Sequence, residues 1–124
     1  MKITFTRILF FIFLNLITCH IFADNNISNY MLPKNAVVKE FTQGDLQLLF
    51  TNQLYALNRY HDGDKLTWRN PLTGHSGYLI PLSTKIENGV LCRKMLIVNQ
   101  TQDREGRGTF KFCRKDKIWH MYTL

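Results

Sequence analysis

The rhythm of apolar and polar positions changes near residue 65. Between Thr42 and Tyr60, the residues Leu46, Leu49, Phe50, Leu54, Leu57 and Tyr60 recur every three or four positions, with Gln53 the one polar member of the stripe. That spacing predicts an amphipathic helix over 43–59. Thr42 can cap its start, and Asp45 puts negative charge at the positive end of the helix dipole. His61-Asp62-Gly63-Asp64 ends the pattern. From Lys65 onward, short segments rich in β-branched and aromatic residues alternate with Gly, Asn and Asp. They predict strands near 65–69, 76–83, 89–99, 107–115 and 118–123. Asn88-Gly89 is a strong hairpin signal, Lys115-Asp116-Lys117 is a second tight corner, and 101–106 is a polar tip. The expected fold is α+β: one N-terminal amphipathic helix packed on a small antiparallel sheet of four or five strands.

The stretch before the helix reads differently. Residues 24–41 are polar and Asn-rich with Pro33, and predict a linker, so the domain is expected over 42–124. Residues 1–23 follow the plan of a secretory signal. Lys2 and Arg7 are the only charges, Ile8–Ile17 is apolar apart from Asn15, and Ala23 offers a cleavage position before Asp24. Spanning a bilayer as a helix takes about 20 apolar residues, more than this run supplies. Two alternatives stand beside cleavage. Cys19 could carry a lipid, although Thr18 occupies a position where that signal calls for a small residue. Ile21 and Phe22 could lengthen the segment into an anchor.

Cysteine usage fits export. The chain has three cysteines, Cys19, Cys92 and Cys113, and either cleavage or lipidation leaves the last two as a pair. If Cys92 faces Cys113, the hairpin centre falls between Gln102 and Asp103, inside the polar tip. The same register sets Lys94 opposite Lys111, and like charges across a strand pair are unfavourable. A bulge, a one-residue slip, or a disulfide to another strand pair would relieve this.

Charge is concentrated in the second half. Residues 65–124 hold eleven Lys/Arg against four acids, whereas 24–64 hold three against five. An exported basic module meets anionic polymers, lipid head groups or acidic proteins before nucleic acid. Arg104, Arg107, Arg114 and Lys115 are candidate contacts for such a partner. Phe110 and Phe112 interleave the basic cluster, but they share one strand face and are expected in the core, so single-stranded nucleic acid is not expected as a partner.

Catalytic motifs are missing. No His pair has metal-ligand spacing, and there is no Cys-x-x-Cys, phosphate-binding Gly loop or nucleophile elbow. No catalytic residue, metal or cofactor is assigned, and an enzyme ranks last among the readings.

The densest motif is Trp68-Arg-Asn70-Pro71 followed by Thr73-Gly74, Gly77 and Pro81. Downstream come Gly89, Cys92-Arg93, Gly108, Cys113-Arg114 and Trp119. In order and spacing these residues, with Gln53–Leu57 and Gly63 before them, resemble the seventeen-kilodalton surface antigen family of Gram-negative bacteria over about residues 53–120. The resemblance implies a non-enzymatic envelope protein, often an outer-membrane lipoprotein. Trp68, Asn70, Pro71, Gly74, Gly77, Gly89, Gly108 and Trp119 then read as a structural signature. Asn70-Pro71 bars a continuing strand, so the stretch reads chiefly as a corner between strands. Its tip, with Leu72 and His75, is the remaining candidate contact. The expected function is a binding or structural module of the periplasm or outer membrane, lipid-anchored or peripheral, that meets an envelope protein or anionic envelope polymer. An accessory subunit of a secretion or surface assembly is the alternative.

Overall fold

A computed structural model describes residues 36–122. The expected signal segment, Cys19, most of the expected linker and the last strand residue expected at Thr123 lie outside them. The described chain is one α-helix and five strands: α1 Gln43–Arg59, β1 Leu66–Arg69, β2 Ser76–Glu87, β3 Val90–Gln100, β4 Glu105–Lys115 and β5 Ile118–Tyr122. The strands form one antiparallel meander in the order β1-β2-β3-β4-β5. Every connection is short, so each strand pairs with its neighbour in sequence.

Helix α1 starts where sequence placed it because Thr42 and Asp45 close a reciprocal capping box. It buries Leu49, Ala56 and Leu57 against Trp68, Leu79, Met95, Ile97 and Phe112 of the sheet. The buried face is rotated from the predicted stripe. Leu54 and Tyr55 are half exposed, and the small Ala56 takes the innermost position. Two large residues lie outward because close approach of helix and sheet selects the small side chain at the contact.

The folded part also begins earlier than expected. Val37–Glu40 form a 3-10 turn, and both Val37 and Phe41 are buried. Phe41 meets the Trp68 ring edge-on at 5.5 Å and stacks on His75 at 5.3 Å. The end of the supposed linker therefore belongs to the core, because Phe41 packs on the Trp68 indole and Val37 packs over Gly106 of β4.

The sheet departs from ideal pairing at one place. The β2–β3 register shifts between Pro81 and Ser83, leaving Leu82 extra. Proline has no N–H for the ladder, which makes this a natural bulge site. The expected disturbance at Lys94–Lys111 is not there. Cys92 faces Cys113, joined by a disulfide, and Lys94 faces Lys111 directly. The repulsion is met by charge instead, since Lys111 pairs with Glu87. Both tight turns have two consecutive residues at positive φ, Asn88-Gly89 and Asp116-Lys117, the geometry that matches strand twist.

Gly77 shows why one signature position has no side chain. A Cβ there would lie 2.4 Å from the Val98 carbonyl oxygen and 2.7 Å from Trp68 Nε1. The indole packs against that strand residue, and only glycine leaves the space.

Candidate functional site

Two charged junctions hold α1, one at each end. At the N-terminal end stands Asp45, fully buried. Its Oδ2 accepts from the Thr42 N–H and hydroxyl, both at 2.8 Å, and meets His75 Nδ1 at 2.9 Å. Its Oδ1 accepts from Asn70 Nδ2 and the Thr73 hydroxyl, both at 2.7 Å. A carboxylate has about four acceptor positions, so five donors saturate it. Burial alone would raise the Asp45 pKa. The bonds from Thr73, His75 and Thr42 outweigh burial and hold the carboxyl well below the usual carboxylate range. An ionised carboxylate can only accept, so His75 Nδ1 carries the proton of this contact.

The stretch between β1 and β2 is folded to make these bonds. Asn70 Oδ1 accepts from the Leu72 N–H, an Asx turn. The Asn70 carbonyl accepts from Gly74, and the His75 carbonyl accepts from Asn70. The Thr73 hydroxyl accepts from the His75 N–H while donating to Asp45. Gly74 takes φ +76°, which closes the corner. Asn, Pro, Thr, Gly and His thus form a latch over the helix start.

An Asp–His pair invites comparison with a catalytic triad. Among the described residues, no hydroxyl or thiol is hydrogen-bonded to the other His75 nitrogen. The ring is stacked on Phe41, and its side chain is only 17% exposed. The pair orients a loop.

At the C-terminal end stands Arg93, reaching up from β3. Nε donates to the Thr84 hydroxyl at 2.9 Å. NH1 donates to the carbonyls of Ala56 and Leu57 at 3.2 and 2.8 Å, and NH2 donates to the Tyr60 carbonyl and Asp62 Oδ1 at 2.8 and 2.9 Å. All five guanidinium donors are used, three of them on carbonyls at the helix end, where intrahelical donors run out, and the others on Thr84 and Asp62. Burial pushes the Asp62 pKa up, but bonds from Arg93 and Thr84 bring it below the usual value.

Beside Arg93 opens a cleft of about 350 Å³. Its apolar lining includes Leu57, Leu91 and Trp119, and its polar lining includes Asn58, His61, Asp62 and Arg114. Trp119 Nε1 donates to Asn58 Oδ1 at 3.0 Å, which fixes the indole. Arg114 and Trp119 are cross-strand partners of β4 and β5.

The residues expected to meet a partner do not form one patch. Leu72 is 93% exposed at the corner tip. His75, three residues on, turns inward to Asp45. Arg104 pairs with Glu40 and Arg107 with Glu105, both on the surface. Arg114 lines the cleft, while Lys115, its neighbour on β4, takes the opposite sheet face by strand alternation. Of the signature residues, Trp68 and Asn70 are buried, Pro71 is exposed at the corner, Gly89 is in the β2–β3 turn and Gly108 lies under the Phe110 ring.

Glu87 lies beside Cys92 and Cys113 at a spacing that could hold a metal ion. Both sulfurs are consumed by the disulfide, so the set offers no thiolate. Among the described residues, no helix is long and apolar enough to cross a membrane.

Sequence reading missed Arg93 as a functional position. The one signal was a lone Arg in the apolar run Val90-Leu91-Cys92-Arg93-Lys94-Met95-Leu96, on the face that alternation sends to the core. It also gave Asp45 only a dipole role. No family profile, curated protein or solved structure matches this chain.

Proposed function

We propose that this chain is a non-enzymatic, exported module of a Gram-negative cell envelope, surface-antigen-like, that binds an anionic envelope polymer. The Cys92–Cys113 disulfide between β3 and β4 carries the reading. Such bonds persist in oxidising compartments, and a domain this small gains proportionally from one. The apolar leader with its two early cations and the surface-antigen-like signature support the same location. The use of buried charge supports binding over catalysis. Asp45 and Arg93 spend all their hydrogen-bonding capacity inside the fold, on the two ends of α1 and the residues beside them, whereas Arg114 stands exposed at a cleft.

Fractionation of cells expressing the full chain tests this, with and without globomycin. Recovery in the periplasmic or outer-membrane fraction is expected, and precursor build-up under globomycin identifies lipid attachment at Cys19. Recovery only from the cytoplasm overturns the reading.

A second reading, an accessory subunit of an envelope assembly, is favoured by Leu72. A large apolar side chain at 93% exposure, on a corner held rigid by Asp45, is placed for protein contact. A photo-crosslinker at position 72 should then capture one defined envelope protein. Capture of nothing but the protein itself discards this reading.

A further inference from the structure

We infer that the cleft at the C-terminal end of α1 is a binding site for an acidic saccharide unit, a sugar ring carrying a carboxylate. This rests on the reading of the chain as a polymer-binding envelope module and names the chemistry of its ligand. The cleft, about 350 Å³, lies within the range of small-molecule sites and mixes an apolar floor with a few convergent polar groups. Leu57 and Leu91 supply apolar lining, and Trp119 supplies an aromatic surface for the C–H face of a sugar ring. Its indole is already fixed by Asn58, so little order remains to be gained on binding.

Charge selects the acid. A helix C-terminus carries partial negative charge, which would repel a carboxylate. Arg93 removes that obstacle by bonding the carbonyls of Ala56, Leu57 and Tyr60. Arg93 has no donor left for a ligand, but Arg114 is exposed and lines the cleft, and its guanidinium forms no ion pair or hydrogen bond among the described residues. A guanidinium matches a carboxylate with two parallel bonds. His61, with its side chain 94% exposed, adds a further polar edge.

Asp62 separates a sugar acid from an acidic peptide. Its carboxylate lines the same cleft, bonded through Oδ1 to Thr84 and Arg93. It accepts from hydroxyl groups and repels a run of carboxylates. A ligand with one acid and several hydroxyls satisfies Arg114 and Asp62 together, which a polyglutamate segment cannot do.

Amide shift mapping of the labelled protein, disulfide intact and in the form its host processes, tests this. The probes are glucuronic acid and N-acetylmuramic acid, with N-acetylglucosamine as the neutral arm and a hexaglutamate peptide as the competing class. Both acids should shift Asn58, His61, Arg114 and Trp119. Arg114→Gln should weaken them about tenfold, the loss of one charge-assisted pair, while amides outside the cleft stay in place and the neutral sugar is unaffected. Trp119→Phe should weaken both acids too, with the fold checked in the same spectrum. Equal binding of acidic and neutral sugars, tighter binding of hexaglutamate, shifts confined to other regions, or no shifts at all would each overturn the assignment. A cytoplasmic location would sink export and leave this titration standing. A failed titration would leave export standing.

Discussion

Asp45 shows how one residue can serve two levels of structure. Its backbone starts a helix, and its carboxylate anchors a corner 25 to 30 residues away through Asn70, Thr73 and His75. Replacing it with Asn keeps the volume but sets an amide donor against surrounding donors. Asp45→Asn should cost roughly 3 kcal/mol, the scale for breaking a buried charged network. For a domain of this size that lowers Tm by more than about ten degrees, measured by thermal circular dichroism. The pH dependence follows from the same bonds. The folded pKa is depressed, so in acid the unfolded chain binds the proton more readily and stability rises with pH. The contribution is fully present above the unfolded value of about 4 and is lost as pH falls below it toward the folded value. Melting scans from pH 6 to 2 should fall steeply at the acid end, and the Asp45→Asn variant should fall less. Equal slopes would show that Asp45 is not the group responsible.

At the scale of elements, α1 is a helix clamped at both ends. The two clamps differ in how legible they were. Thr42 and Asp45 lie three residues apart, so local chemistry announces the helix start, and 3.6-residue spacing announces its length. The strands were equally readable from alternation and from Asn88-Gly89. Arg93 was not readable, because its partners Ala56, Leu57 and Tyr60 lie 33 to 37 residues earlier. No local pattern encodes that distance. The outward turn of Leu54 was hidden for a similar reason, since the sheet surface, not the helix, decides which part of a broad apolar stripe is covered. Arg93→Met should destabilise by about 3 kcal/mol, taking the guanidinium from the Leu57 and Tyr60 carbonyls and the paired cation from Asp62, which keeps only its bond from Thr84. Hydrogen exchange should quicken first at the C-terminal turn of α1. Uniform quickening across α1 and the sheet would contradict a local clamp. The β4–β5 turn offers the opposite case. Lys117 sits at φ +66°, where a side chain is strained. Lys117→Gly should raise stability by up to about 1 kcal/mol, read from denaturant midpoints. Unchanged or lower midpoints would show that the turn carries no such strain.

Viewed whole, the described chain is one helix on one side of a five-stranded sheet. That gives a modest core, and a disulfide closing 21 residues contributes about 3 kcal/mol. Small domains total roughly 5–15 kcal/mol, so the bond is a large share. The candidate contacts read from sequence divide at this scale. The basic residues are close in the chain but point to both sheet faces, and only Arg114 joins the cleft. The most direct test of the proposal that this disulfide-held module is exported is the intact mass of the protein recovered from the cell, taken before and after reduction and alkylation. The account predicts an N-terminus processed near Ala23 or lipidated at Cys19, with Cys92 and Cys113 alkylated only after reduction. An unprocessed chain with both thiols alkylated before reduction would contradict it.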